Sequence, residues 1–433
     1  DVPNEMFNSL VYNYDMENFF KKVVLDCFDA QYSNGRVPST VPHFMSVYDD
    51  DPNWGGAAIL VPYRSWKTSG GVATMTKFYP QMKKLMDYYT SKTVNHIMPG
   101  SNYSVLSDWG QETAGVNPMV PGEFTITTTY YYMLNAMAEI ASFLGKDVDA
   151  KGFLTQAQNT KKAFNERFYK DGVYGYGQQS EFAMPLYYGL VDQENEELVA
   201  AKLAERVKKD NYKIKTGEIG LKPLFMSLAK YGYNDIVYQM ANQTDCPSYG
   251  YWVKQGYTTT PEYWDVGAFS QNHCMMDHIE EWFFSQLGGI RNDGNGFDIV
   301  RIEPWIPEDM NHLDVTTRSI YGNIRCHYER GVDNEMNYTF EIPANSQANI
   351  VLPCLNHQSV FENGKDVKNG EKGVVSVEYK DGKAYLKMGS GNYTLQIKKK
   401  EATGIQEVNI SRVRLNDVYY DLEGRNHGKV RPS

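Results

Sequence analysis

Apolar residues recur with helical spacing along the first two thirds of the chain. The clearest segment runs from Asp15, which we predict to be the N-cap, to Gln31. Its apolar residues fall on one helical face at i, i+3, i+4 and i+7 positions: Met16, Phe19, Phe20, Val23, Val24, Cys27 and Phe28. The same spacing predicts a short stub and further helices: 4–13, 55–68, 74–92, 124–145, 148–168, 178–191, 193–209, 218–232, 234–242 and 267–287.

After Gly296 the pattern changes to alternation of apolar and polar residues, which is typical of strands with one buried face. The runs that show it are FDIVRI, DVTTRSIYGNIRCHYE, MNYTFEIP, ANIVLP, VVSVEYKDGKAYLKM and NYTLQIK. Asp381 and Gly382 stand between two alternating halves and predict a two-residue hairpin turn. We therefore predict three segments: a helical domain at 1–294, a β-sandwich at 295–400 and a polar tail at 401–433.

Two connections between the predicted helices are unusually long, at 33–54 and 93–122. Compact helical bundles use short turns, and ordered loops of this length usually shape a site. We therefore expect residues of these connections to contribute to binding or catalysis.

Composition excludes some classes of function. The formal net charge of −10 disfavours a nucleic acid partner, because the phosphates would be repelled. No run approaches the roughly 20 apolar residues that a membrane-spanning helix requires. The cysteines are widely spaced, without a CxxC pair, and are interpreted as small buried hydrophobic residues: Cys27, Cys246, Cys274, Cys326 and Cys354. His273 and His278 are five residues apart, which does not align them for a shared metal, so we predict no metal and no cofactor.

The segment from Gly256 to Trp282, GYTTTPEYWDVGAFSQNHCMMDHIEEW, places a carboxylate, aromatic rings and a histidine close together. Sugar hydrolysis requires a carboxylate that handles a proton or a water, apolar faces for the ring, and fixed hydrogen-bonding groups for the hydroxyls. Glu262 is therefore the candidate general base. The competing interpretation is a glutamate on a solvated loop rim, where most glutamates lie.

A longer run around this segment resembles glycoside hydrolase family 78, the bacterial α-L-rhamnosidases. It begins at Thr216 with TGEIGLKPLF, continues through NDIVYQMANQTDCPSYGYWVKQG, and ends near Glu281 and Trp282. The resemblance extends from Asp1 to about Lys398. It implies a mainly α fold, an (α/α)6 six-hairpin toroid followed by a C-terminal β-sandwich. The predicted helices and strands agree with this architecture, but the helices are too few for six hairpins, with the first helix missing at the N-terminus.

The resemblance implies roles for five positions. Glu262, in TTTPEYWD, matches the family's general base, which activates a water for attack on the anomeric carbon. Asp1 matches an aspartate that hydrogen-bonds sugar hydroxyls, and His273, in SQNHCMMDH, matches a histidine that contacts the sugar. Trp54, in DPNWGG, matches a tryptophan whose indole can lie against the apolar face of a deoxy sugar. Trp109, in SDWGQETAG, matches an Asp-Trp pair at the mouth of the second long connection.

Each of these positions also has a structural interpretation. Both tryptophans could be ordinary core residues, Asp1 could be a disordered terminus, and a single histidine that begins a helix is commonly a hydrogen-bonded structural residue. Gly56 stands where the family commonly has an aspartate, and Pro261 stands where it usually has a larger apolar residue. The first departure removes one expected hydrogen bond, and the second is expected to re-aim the loop slightly.

The family mechanism is hydrolysis with inversion, in which one carboxylic acid protonates the leaving oxygen and a second carboxylate deprotonates the water. By the resemblance, the acid lies several residues before the aspartate that aligns with Asp1. We therefore predict that this chain lacks its general acid and is weakly active or inactive alone. Other acidic residues of the predicted rim are interpreted as solvated charges or hydroxyl ligands: Asp49, Asp50, Asp51, Asp108, Glu112 and Asp265.

Two alternatives to a rhamnosidase stay open. Another toroidal enzyme, such as an unsaturated glucuronyl hydrolase, would need cations for a carboxylated sugar, and the candidate loops offer few: Arg36, Arg64, Lys67 and Lys254. The other alternative is a catalytically incomplete fragment that only binds sugar. The expected partner is a rhamnose-containing glycoside or polysaccharide.

The C-terminal segment bears on the cellular location of the protein. The segment 403–425, TGIQEVNISRVRLNDVYYDLEGR, resembles the start of the sorting tails of type IX secretion substrates, without the glycine-rich strand that completes them. A frayed terminus is the competing interpretation. The resemblance favours a secreted, periplasmic or cell-surface protein.

Overall fold

The computed structural model describes residues 6–44, 49–266, 269–332 and 335–399. Asp1 and the tail at 401–433, for which the sequence gives predictions, lie outside the described residues. In the described part a helical domain is followed by strands, which confirms the predicted order of the two architectures.

The helical domain is built from short and long helices joined by the two long connections. In chain order they are α1 (Phe7–Asn13), α2 (Glu17–Asp29), α3 (Pro52–Gly55), α4 (Ala57–Ser69), α5 (Ala73–Ser91), α6 (Gly122–Phe143), α7 (Asp147–Phe168), α8 (Gln179–Tyr188), α9 (Glu196–Lys209), α10 (Glu218–Lys230), α11 (Asn234–Ala241), α12 (Tyr249–Lys254) and α13 (Ile279–Trp282). A π-helical turn, Phe283–Leu287, continues α13.

Helix boundaries differ from the prediction at several places, and α12 lies where no helix was predicted. Helix α2 begins at Glu17, with Met16 at the N-cap, while the Asp15 carboxylate accepts a hydrogen bond from the Glu17 backbone at 3.3 Å. The predicted helix 267–287 is wrong in its first half, since the described residues 269–278 contain only a 3₁₀ turn, Cys274–Met276. Backbone hydrogen bonds from this segment to the Glu262 loop replace the bonds that a helix would have made.

Helix α6 lies at the centre of the helical domain. Most of its residues are buried, as expected for a helix that packs against neighbours on several sides. Its residue Phe124 belongs to a hydrophobic cluster formed mainly by α8 to α13, whereas Ile126 belongs to a second cluster formed mainly by α1 to α7. The two halves of the domain are thus packed on one shared helix.

The strands form two sheets around a third hydrophobic cluster. After a small hairpin of β1 (Tyr169–Lys170) and β2 (Val173–Tyr174), the strands are β3 (Ile290–Asn292), β4 (Ile299–Ile302), β5 (His312–Ser319), β6 (Gly322–Arg330), β7 (Met336–Ile342), β8 (Gln347–Pro353), β9 (Gln358–Glu362), β10 (Lys365–Asp366), β11 (Val374–Lys380), β12 (Lys383–Met388) and β13 (Gly391–Lys399). One sheet has the order β10-β9-β13-β7-β6-β5, and the other β11-β12-β8-β4-β3. Neighbouring strands are antiparallel except β4 and β8.

The predicted hairpin turn is confirmed. Lys380 pairs with Lys383, and the intervening Asp381 and Gly382 have φ values of 51° and 72°, as a two-residue hairpin with a right-handed twist requires. The change from helix to strand comes slightly earlier than the predicted boundary at 294/295, because Ile290 already pairs with Ile302 in the second sheet.

Candidate active site

Trp109 and Glu262 meet in space although they are 153 residues apart in the chain. The Trp109 indole Nε1 donates a hydrogen bond to Glu262 Oε1 at 3.0 Å. The second carboxylate oxygen accepts a hydrogen bond from the Ser270 backbone N–H at 3.1 Å. The Glu262 backbone N–H in turn donates to the Ser270 carbonyl at 2.9 Å. Both oxygens of this partly buried carboxylate are therefore held in fixed directions.

His273 lies beside this pair and is bonded to an acid that the sequence did not single out. Its Nε2 lies 2.7 Å from Glu218 Oε1, and Glu218 is 1% exposed at the start of α10. Burial alone would lower the pKa of His273, but the hydrogen bond to Glu218 and the charges of Glu218 and Glu262 raise it above its ordinary value. Burial raises the pKa of Glu218, and the bond to His273 opposes that change.

Asp108 fixes Trp109 against the start of α10. Its Oδ1 accepts a hydrogen bond from the Gly220 backbone N–H at 2.8 Å, and its Oδ2 accepts one from the Ser180 hydroxyl. The Trp109 carbonyl accepts a bond from the Glu218 N–H at 2.9 Å. A side chain at position 217 would not fit there, because a Cβ on Gly217 would lie 2.1 Å from that carbonyl oxygen. Asp108 thus acts as an N-terminal cap supplied from another segment.

The first long connection is tied to the second by Asp51. Its carboxylate accepts hydrogen bonds from the Asn53 N–H at 2.9 Å and from the Leu106 N–H at 2.7 Å. Burial raises the pKa of Asp51 to about 7, although both bonds favour the charged form. Trp54, on the short helix that Asp51 caps, is 7% exposed and belongs to the same hydrophobic cluster against which Trp109 packs. A contact of Trp54 with a sugar would use only that small exposed part.

The interpretation of the rim acids as solvated charges is wrong for three of them. Asp50, Asp51 and Asp108 are all buried, and Asp50 accepts a hydrogen bond from Lys92 at 2.7 Å. Glu112 and Asp265 are exposed, as predicted. The buried three hold backbone or neighbouring side chains, so none of them is positioned as a proton donor to a ligand.

Aromatic rings extend from Trp109 along the Glu262 loop. The Tyr263 ring centroid lies 5.8 Å from that of Trp109 and 4.7 Å from that of Phe269, whose side chain is 55% exposed. Trp264 points the other way and is fully buried, stacked on Trp252 at 4.6 Å. Trp109, Tyr263 and Phe269 thus form a partly exposed aromatic wall beside Glu262. The buried Trp264 instead holds the loop to the core.

The described residues contain neither a candidate metal cluster nor a helix suited to a membrane. No group of three or more His, Cys, Asp and Glu side chains is arranged to hold a metal ion in the part of the chain that the structure describes. In the same residues, no helix combines the length and the apolar character needed to cross a membrane.

The most informative similar proteins are named α-L-rhamnosidases. An α-L-rhamnosidase of Formosa agariphila is 25% identical over 388 residues, which cover 84% of this chain and 41% of that protein. The structure of an α-L-rhamnosidase from Dictyoglumus thermophilum matches with a TM-score of 0.83 and 26% identity, over 92% of this chain and 45% of that one. An α-L-rhamnosidase from Streptomyces avermitilis, solved in complex with L-rhamnose, has the same fold at 22% identity, with a TM-score of 0.82, over 92% of this chain and 38% of that one.

The chain spans less than half the length of these relatives. Residues 289–366 match the bacterial α-L-rhamnosidase C-terminal domain. The predicted fold class, a six-hairpin toroid followed by a β-sandwich, is confirmed by these matches. Because residues 4–287 of the 433 match the six-hairpin glycosidase domain of bacterial α-L-rhamnosidases, the chain belongs to that family.

Proposed function

We propose that the chain is the catalytic and C-terminal part of an α-L-rhamnosidase that removes terminal, non-reducing α-L-rhamnose from glycosides or polysaccharides with inversion. The observation that carries the proposal is the contact of the Trp109 indole with the Glu262 carboxylate at 3.0 Å, beside an exposed aromatic wall. Family membership supports the reaction class, and the complex of the Streptomyces avermitilis relative with L-rhamnose supports the sugar.

In this mechanism Glu262 is the general base. Its fixed carboxylate takes a proton from a water, which attacks the anomeric carbon from the face opposite the leaving group. An inverting enzyme needs room for that water, so the general acid would stand about 6.5–9.5 Å away. By the resemblance, the family's general acid stands several residues before the aspartate that aligns with Asp1.

The aromatic wall of Trp109, Tyr263 and Phe269 would cover the apolar face of the sugar, including the methyl group at C6. A deoxy sugar buries more apolar surface against such a wall than a fully hydroxylated one, which favours rhamnose. Trp54 and Asp1 keep the substrate-binding roles that the resemblance implies.

A uronide substrate is disfavoured because three of the four candidate cations are already paired with an acid or buried. Arg36 lies 2.6 Å from Asp49, and Lys67 lies 3.0 Å from Glu139. Arg64 is buried, whereas Lys254 is exposed on α12. A carboxylated sugar is normally recognised by a cation that can face it, preferably with two parallel hydrogen bonds.

The test is hydrolysis of an aryl α-L-rhamnoside by the full-length gene product and by its Glu262→Gln variant. Removal of a general base is expected to lower kcat by about 10²–10⁴-fold. The matched control is Asp265→Asn, an exposed acid three positions away that should leave kcat within about twofold. Normal turnover by Glu262→Gln would remove Glu262 from the mechanism, and activity on unsaturated uronides without activity on rhamnosides would overturn the proposed substrate.

A secreted, periplasmic or cell-surface location is part of the proposal. It is supported by the resemblance of 403–425 to a sorting tail. Fractionation of the producing cells tests it, and recovery of the protein only from the cytoplasm would contradict it.

A further inference from the structure

Glu218 is an acid of the site that the proposed mechanism does not use. It is 1% exposed, while its partner His273 retains 25% exposure. A buried carboxylate is costly unless it is paired and hydrogen-bonded, so such a residue is retained where its charge has a use or its bonds are satisfied. Its position in the first turn of α10 also favours a negative charge, since the N-terminal end of a helix is electropositive.

The contacts around Glu218 form a closed circuit with the proposed base. The Glu218 backbone N–H donates to the Trp109 carbonyl, and the Trp109 indole N–H donates to the Glu262 carboxylate. The Glu218 side chain holds His273, whose backbone N–H donates to the Thr260 carbonyl at 2.7 Å, two residues before Glu262. A movement of Glu218 would therefore displace the indole, the imidazole and the base loop together.

From this geometry we infer that Glu218 is a positioning residue that keeps His273 protonated, with Nε2–H committed to Glu218 and Nδ1–H left to donate to a sugar hydroxyl. The inference rests on the proposed function, because it assigns the Nδ1 donor to the same sugar. A neutral imidazole has one N–H, so it could not serve the carboxylate and donate to the sugar at once.

The charges around the pair support this assignment. Glu218 and Glu262 both face His273, and both raise its pKa. Asp277 accepts a hydrogen bond from the Thr260 hydroxyl. Burial raises the pKa of Cys274, and the charges of Asp277 and Glu218 also raise it. Since the folded pKa of His273 is raised, the second donor is present at low pH and is lost as the pH rises through that value. Binding of the sugar should weaken along the same alkaline limb.

The first experiment uses Glu218→Gln in the full-length protein, with the pH dependence of KM and kcat measured separately. The amide keeps the shape of the side chain but not its charge. We expect KM to rise by about 5–50-fold above neutral pH, a smaller change in kcat, and a shift of the alkaline limb to lower pH. Glu218→Asp should partly restore the limb. An unchanged limb in Glu218→Gln would overturn the inference.

The matched control is Glu280→Gln. This partly buried glutamate holds Asn13 at 2.8 Å rather than His273. The same substitution there should leave the pH profile unchanged. A limb that moves equally in both variants would mean that the shift is a general effect of losing one negative charge, and this would also overturn the inference.

A second experiment does not depend on turnover or on the folding of the Glu218 variants. His273 is titrated by NMR in the unliganded wild-type protein, with its signals assigned by their absence in His273→Gln. A titration above the ordinary histidine range is expected, and a titration at or below that range overturns the inference. If Glu262→Gln fails to impair rhamnoside hydrolysis while His273 titrates high, the proposed base is wrong and the Glu218–His273 pair stands.

Discussion

The Asp51–Trp54 segment and the Glu262 loop each place a carboxylate close to a tryptophan, yet the two regions use these residues differently. Asp51 accepts two backbone N–H groups, and Trp54 is almost fully buried. Glu262 accepts one indole N–H and one backbone N–H, and the rings beside it are partly exposed. The difference shows that the hydrogen-bond partner of a carboxylate, rather than its sequence neighbours, separates a structural acid from a candidate catalytic one.

The largest expected effect is a loss of stability on removing a structural acid. Asp108→Ala should lower the free energy of unfolding by about 2–4 kcal/mol, because the Gly220 N–H and the Ser180 hydroxyl lose a buried acceptor. Glu262→Ala should lower it by less than about 1 kcal/mol, since its partners Ser270 and Trp109 are exposed and partly exposed, and water can replace the lost acceptor. Urea denaturation of both variants measures the contrast, and equal losses would erase the distinction between a structural acid and a candidate catalytic one.

A smaller effect is expected at the contact between indole and base. Trp109→Phe keeps an aromatic ring but removes the Nε1–H donor, and a hydrogen bond to a charged group contributes about 1.5–3 kcal/mol. We expect kcat/KM on an aryl rhamnoside to fall by about 10–100-fold. Trp66→Phe, a partly buried indole packed on Phe143, is the control and should change kcat/KM little. Similar losses in both variants would show that the indole acts through packing alone.

The smallest effect is the pH dependence of the Asp51 contacts. The folded pKa of about 7 lies above the ordinary 3.8, so protonated Asp51 stabilises the fold at low pH and this stability is lost as the pH rises towards 7. Relative to Asp51→Asn, the wild type should gain about 1–2 kcal/mol of unfolding free energy between about pH 7 and pH 5.5. A difference that stays constant with pH would contradict a raised pKa at this position.

Sequence patterns were sufficient where one local rule decides the structure. The apolar face of α2 and the Asp381-Gly382 turn follow from spacing and from backbone preference. The resemblance supplied Trp109 and Glu262, which the structure then brings to 3.0 Å. The predicted helix at 267–287 was wrong in its first half because bonds to the Glu262 loop outweigh the local spacing.

The roles of Glu218 and Asp108 could not be read from the chain. Glu218 begins a helix at a position where an acid is common, and its partner His273 lies 55 residues away. Asp108 caps α10, which begins more than a hundred residues later. Its carboxylate accepts from the Gly220 N–H, 112 residues away in the chain. Such contacts are set by tertiary packing, and no spacing rule predicts them from a single sequence.

The sharing of α6 by the two hydrophobic clusters has a consequence for how the molecule loses its site. Trp54 and Trp109 of the site pack on one of these clusters, and α6 joins that cluster to the other, so loss of either cluster removes support from the site. Heat or denaturant should therefore abolish sugar recognition and melt the helical domain in a single cooperative event.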